Sequence, residues 1–421
     1  MPSHDRRTDI PRRVVLAGAI GLLAVAACSS GPAEPTGTVT YWIGDDAAGP
    51  EYKALTEELI PAFEAGHLWL DVEARLIPSE QLHDQLRSAI ADGTEPDVVA
   101  VDITQVAEFA NDGALLPLDT EMSDFGALAG SVYKGSLATN MWEGHYYGLP
   151  LETNTQLLVV NRQALQVSGL RMPVTMQELE FAMTLYRDFV GGFTYSFASD
   201  GTDARQILPW IWAFGGSITD PNGKVASGYL NGPGTVQAVS KLNEWLARGY
   251  LSPSMLGQGT PAIDQLGSGQ AASMFGDASL PPIVNARFPG FAIIAAPVPS
   301  DQRGGVSLLG GKDIVVSKNT NAKVATLAFV RSMLSEQAQL AFGKTGKMPA
   351  ITSLVGRSDL PAYLAPFIGQ LDNAMAPAPS AQWAKIDDAI TEAVQSALQG
   401  KSIDVALNQA AETVDQLLLQ Q

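Results

Sequence analysis

The chain has 421 residues, 46% of them hydrophobic and 17% charged, enough apolar material for two packed lobes and too much for a disordered or fibrous protein. Its formal net charge of −18 argues against nucleic acid or an anionic membrane surface as a partner, because neutralising phosphates takes clustered Lys and Arg. A single cysteine, Cys28, excludes an intrachain disulfide framework and cysteine-rich zinc or iron–sulfur sites.

Cys28 closes an apolar run, Val14 to Ala27, that has the length of a signal-peptide core and falls short of the ~20 residues of a membrane span. Arg6, Arg7, Arg12 and Arg13 precede the run, and Val25-Ala26-Ala27 supplies small residues before the cysteine. This order resembles the lipobox of bacterial lipoprotein precursors, which implies cleavage after residue 27, acylation of the Cys28 sulfur and retention at the outer face of the cytoplasmic membrane. Arg12-Arg13 also resembles a twin-arginine export signal, so Sec and Tat export both stay open. Residues 28–37, rich in Ser, Gly and Pro, read as a flexible tether. Removal of residues 1–27 takes away four Arg and two Asp, carrying the charge from −18 to −20.

In the body, Thr38 to Gly44 has the β-branched and aromatic content of a strand, and Tyr52, Leu55, Leu59 and Phe63 then recur at helical spacing. A strand from Leu70 to Ile77, a helix carrying Leu82, Leu86 and Ile90, a buried strand from Pro96 to Asp102 and a helix from Thr104 to Asn111 follow. This β-α-β-α-β alternation calls for a parallel sheet. Tyr147 to Asn161 reads as extended, and Thr175 with Glu178 has capping-box spacing. The middle is mostly helical, including Ile207 to Phe214 before Gly215-Gly216 and a helix carrying Val236, Val239, Leu242 and Leu246. Extended runs at Ala272–Phe275, Phe291–Pro297 and Val306–Ser317, a helix reaching Met333 and two terminal amphipathic helices complete the pattern.

Several stretches in collinear order resemble the extracellular solute-binding proteins of ABC importers in the maltose-binding cluster, above all actinobacterial sugar-binding lipoproteins. They are PDVVAVDITQVAEFANDGALL from Pro96, YGLPLETNTQLLVVNRQAL from Tyr147, PVTMQELEFA from Pro173, WAFGGSITDPNGKVA from Trp212, GSGQAASMF from Gly267, LLGGKDIVVSK from Leu308 and PSAQWAKIDDAITEAVQSAL from Pro379. The resemblance implies an α/β, two-lobed periplasmic-binding-protein fold of type II, each lobe a mostly parallel sheet flanked by helices, with a hinge of two or three crossings. It places one lobe at 38–153 plus 304–349 and the other at 154–303 plus 350–421. Its implied partners are a small sugar and the permease subunits of the importer, the protein itself being a monomer tethered through Cys28.

Ligands of open α/β sheets sit outside the carboxyl ends of the strands, which is where Asp45 and Asp46, and then Asp102 and Thr104, fall. A sugar needs carboxylates and amides for its hydroxyls and aromatic faces for its rings. The resemblance adds Asn154 and Thr155 at the first crossing, Trp210, Asp277 and Trp383 in the second lobe, and Lys312 beside Gly310-Gly311. Against these stand structural roles: Asp45, Asp46 and Asp102 as helix caps, Asn154 and Thr155 as turn partners, Trp210 and Trp383 as core residues, and Asp277 and Lys312 as solvated charges.

The expected function is therefore capture of a carbohydrate for an ABC importer, with a glycerophosphodiester or other polar solute as the alternative cargo. A cell-envelope enzyme acting on carbohydrate is the rival class, but no GxSxG, HExxH or GxGxxG pattern is present. Gly343-Lys344-Thr345 has Ala338 where a phosphate loop needs its first glycine, and His4, His67, His83 and His145 have no metal spacing. Neither a cofactor nor a metal is called for.

Overall fold

The computed structural model describes residues 37–45, 49–300 and 305–420. Cys28, the signal segment, all of the tether but Gly37, and Asp46 lie outside them. Its principal strands are β1 (Gly37–Gly44), β2 (Leu70–Ile77), β3 (Val98–Asp102), β4 (Gly148–Asn161), β5 (Tyr195–Ala198), β6 (Ala271–Asp277), β7 (Ile293–Ala296) and β8 (Ser307–Val316). They share one path in the order β2-β1-β3-β8-β4-β6-β5, with β7 added beside β4. The β2-β1-β3 and β6-β5 pairings are parallel, whereas β8 and β4 run antiparallel to their neighbours.

Strand β4 is long enough to serve two sheets. Its Gly148–Thr155 portion pairs with β8, and its Gln156–Asn161 portion pairs with β6 and β7. Each end feeds a different hydrophobic core. One packs Tyr41, Ile43, Phe63, Val98, Leu149, Ile314 and Phe329, and the other packs Leu158, Tyr186, Phe197, Trp210, Trp245, Phe275 and Ile390. Ala350, Ile351, Leu354 and Leu360 also pack in the first core, beyond the boundary expected at 349.

Local chemistry explains most element ends. Thr175 Oγ1 accepts from the Glu178 N–H at 3.1 Å, while Glu178 Oε2 reaches back to the Val174 N–H at 2.8 Å, one residue beyond the usual capping-box partner. Asp203 caps the helix Ala204–Ala213 through the Gln206 N–H. The helix expected around Leu55 and Leu59 is interrupted by a π-helical stretch, Ala54–Leu59, immediately before Ile60-Pro61. Pro61 supplies no N–H, and the Ile60 N–H bonds back five residues to the Leu55 carbonyl, so the wide turn absorbs the mismatch.

Candidate ligand cleft

Asp102 ends β3, Lys312 lies opposite it in β8, and Glu152 lies opposite Lys312 in β4. Directly opposed residues share a sheet face, so the three form one row across the strands. Lys312 Nζ donates to the Gly44 carbonyl at 2.9 Å and lies 3.5 Å from Glu51 Oε2 and 3.8 Å from Glu152 Oε1. Lys347 Nζ completes the group, 2.8 Å from Glu51 Oε2 and 3.6 Å from Glu152 Oε2. Two carboxylates and two ammonium groups thus balance where β1 ends.

Burial pushes the Glu51 carboxyl up, with Glu152 adding to the effect and the two lysines opposing it. For Glu152 burial also acts upward, but Lys312 and Lys347 outweigh it and hold the carboxyl below its ordinary value. Burial works against the Lys347 ammonium, yet Glu152 and Glu51 raise its pKa overall, and Asp45 adds to them. Lys347 therefore stays charged.

Asp102 has a divided role. Its Oδ1 accepts from the Thr104 N–H at 3.0 Å and from Thr104 Oγ1 at 2.6 Å, ordering the turn after β3. Its Oδ2 accepts from Arg205 Nη2 at 2.8 Å, and Arg205 belongs to the first turn of the helix Ala204–Ala213, which packs in the second core. Asp102 is the main cause of a raised Arg205 pKa, with Asp203 and Asp387 contributing. Asp387 accepts from the Ala204 N–H at 2.9 Å, and its carboxyl is pushed up by burial. Carboxylates from both sides consequently converge on one guanidinium. A separate cavity of about 170 Å³ is lined by His83, Arg87 and Glu108 together with Ala381, Gln382 and Lys385.

Acceptors and donors thus face each other from two separately cored bodies across strands that join them. The sequence matches the family described as bacterial extracellular solute-binding protein over residues 47–340, more than half of the chain. The chain belongs to this family. Among solved structures, this solute-binding protein is similar to the sugar-binding protein MalE of Xanthomonas citri, with 23% identity, a TM-score of 0.80, and 91% of this chain and 98% of that chain covered. It is also similar to the GacH receptor of Streptomyces glaucescens, solved unliganded and with acarbose, with 23% identity, a TM-score of 0.79, and 92% and 99% covered. An uncharacterized lipoprotein of Streptomyces antibioticus is 31% identical over 161 residues, 38% of this chain and 35% of that one. The fold is thus the two-lobed one, and β4 and β8 are strands that cross between the lobes.

Of the residues singled out in the sequence, the structure brings Asp45, Asp102, Thr104 and Lys312 to one end of the first sheet. Lys312 is engaged with the Gly44 carbonyl and two glutamates rather than solvated. Asn154 and Thr155 instead fasten the crossing: Asn154 Oδ1 accepts from the Ala278 N–H at 3.2 Å, and the Thr155 hydroxyl bonds the Ser307 hydroxyl at 2.7 Å. Asp277 accepts from the Ser279 N–H at 2.9 Å, closing the turn after β6. Trp210 is a core residue, fully buried, with ring centroids 4.6 Å from Phe275 and 4.8 Å from Phe197. Trp383, nearly buried at the start of the helix Trp383–Leu398, lies one turn before Asp387.

Glu51, Glu152, Lys347 and Arg205 went unnoticed in the sequence. Period-two alternation along β4 puts Glu152 on the same face as Asn154, which would have found it. Arg205, the only basic residue between Arg187 and Lys224, carried a signal of rarity. Glu51 and Lys347 gave none.

Proposed function

We propose that this protein is the substrate-binding lipoprotein of an ABC importer, taking up a carbohydrate between its lobes and presenting it to the membrane permease. The observation that carries the reading is the Asp102–Arg205 contact of 2.8 Å between the end of β3 and a helix of the other lobe, with Asp203 and Asp387 beside it. Carboxylates accept from sugar hydroxyls and the guanidinium donates to them, so a ligand inserted there gains partners from both lobes at once. Closure around it is then favoured by the ligand's own bonds. The hinge in this reading consists of β4 at 153–156, β8 at 307–311 and a return after residue 360. Acylation of Cys28 holds the protein at the outer face of the membrane.

The test is a thermal-shift and calorimetric screen of the lipoprotein against mono- and oligosaccharides, sugar alcohols and glycerophosphodiesters. A sugar at a hundred times its Kd raises stability by about 2.7 kcal/mol and is recovered unchanged. Chemical conversion of the sugar overturns the reading in favour of an enzyme. A response confined to glycerophosphodiesters overturns the carbohydrate assignment alone.

A further inference from the structure

The end of the first lobe opposite the cleft carries an apolar feature that neither core uses. The Leu70 N–H bonds the His67 carbonyl at 2.9 Å, closing a turn whose two corners are Leu68 and Trp69. Turn corners usually carry Gly, Pro, Asn or Asp. Here they are 79% and 63% exposed hydrophobic side chains, and the turn is held firmly, since the His67 ring stacks on Phe63 at 4.3 Å and its Nδ1 bonds the Phe63 carbonyl at 2.8 Å. Gly37 is fixed beside it: its N–H donates to the Trp69 carbonyl at 3.1 Å, and a side chain starting on it would lie 3.6 Å from the Ala322 methyl. Val324, 64% exposed, follows two residues after Ala322. Exposed Leu68, Trp69 and Val324 thus flank the point where the chain from Cys28 enters the fold.

We propose that this patch is a bilayer-contact surface, Leu68 and Trp69 seating in the interfacial layer of the membrane to which Cys28 is anchored. The inference rests on the lipoprotein reading of Cys28. Nine peptide steps separate Cys28 from Gly37, a span of at most about 32 Å in any conformation, so an acylated Cys28 keeps the patch within reach of the lipid headgroups. Tryptophan is the side chain that membrane interfaces favour, with an apolar body and a polar N–H, and its partner must be neutral lipid because the protein is strongly acidic. Stable attachment by lipid chains commonly takes a second contact, and the patch supplies one without basic residues.

The experiment uses the lipoprotein reconstituted in phosphatidylcholine vesicles, with a nitroxide on Leu68→Cys or, as a control on the other lobe, on Val405→Cys, a position 47% exposed in the helix Ile403–Leu418. Cys28 is the only native cysteine, so once it is acylated each label site is unique. The ratio of collisions with oxygen to collisions with a water-soluble nickel complex is expected to be at least about tenfold higher at 68 than at 405. Equal ratios on a protein that partitions into detergent overturn the patch and leave the anchor standing. Wild-type protein that stays in the aqueous phase overturns both. Shielding that appears only when the permease is co-reconstituted makes the occupant a protein and overturns the membrane assignment.

Discussion

Replacing Asp102 by Asn separates the two things this side chain does. The amide oxygen can still accept from the Thr104 N–H and hydroxyl, which the structure places at 3.0 and 2.6 Å, so the turn after β3 survives. The other position changes from a carboxylate oxygen 2.8 Å from Arg205 Nη2 to an amide NH2, two donors facing each other. Both partners are partly exposed, Asp102 at 23% and Arg205 at 48%, so screening limits the stability cost to roughly 1 kcal/mol or less. A sugar hydroxyl bonded to that carboxylate, by contrast, loses a charged partner worth about 1.5–3 kcal/mol, which is roughly 10- to 150-fold in Kd. The assay pairs thermal unfolding without ligand against titration calorimetry with the best sugar, on D102N, R205Q and the double variant. The expected signature is a small shift in Tm with a large loss of affinity, and non-additivity in the double variant. Affinity within twofold of wild type, accompanied by the same small Tm shift, would refute the assignment and leave Asp102 as a turn residue.

Glu51→Gln removes the nearest carboxylate from Lys347 and leaves Glu152 as the main partner of both lysines in a buried setting, where removing one partner of an ion pair costs about 3–5 kcal/mol. Its Tm should fall far more than that of Arg357→Ala, whose exposed pairs with Glu336 and Asp359 are screened by solvent. Asp313, fully buried in β8, has its carboxyl pushed up by burial to about 7 from an ordinary value of 3.8. The folded form holds this proton while the unfolded chain gives it up, so stability falls as pH rises from about 4 to about 7, by roughly 2–4 kcal/mol, and is flat above that. Asp313→Asn removes that slope, and its Tm gain over wild type should be larger at pH 8 than at pH 4.5. Trp210→Ala opens a cavity among Phe197, Trp245 and Phe275, with an expected loss of about 3–5 kcal/mol in unfolding experiments. Sugar affinity of the folded variant should stay within a few-fold of wild type, and a selective loss of binding would return Trp210 to the ligand.

The strands β1 to β3 were legible because each is a short run of β-branched and aromatic residues followed by a helical stripe, a pattern written entirely in neighbouring residues. The position of β8 was not, since its insertion between β3 and β4 joins Lys312 to Asp102 across two hundred residues of chain. The same limit governed the site. Asp102 and Lys312 could be named singly, but their common row with Glu152 exists only once three strands are in register. Trp210 shows the converse: helical spacing says that Ile207, Trp210, Ile211 and Phe214 share a face, and only packing says that this face looks inward. Asn154 and Thr155 carry side chains suited to a ligand, and the structure spends them on backbone and Ser307 partners.

Strands β4 and β8 remain paired as they pass between the lobes, through Leu309–Thr155, Gly310–Asn154 and Gly311–Thr153. Gly311 takes a φ of 137°, and a side chain there would collide with the Glu152 carbonyl oxygen, so only glycine lets the two strands approach as they do here. The pair is braced on its outer sides, where β4 also pairs through Thr153–Met348 and Glu152–Pro349 and β8 through Ser307–Ala374 and Leu308–Met375, and sliding one strand past the other breaks ladder hydrogen bonds. In the function proposed above, such a connection is a leaf spring rather than a ball joint: rocking of the lobes along one arc keeps the ladder intact while shear breaks it, so that successive captures would retrace one path.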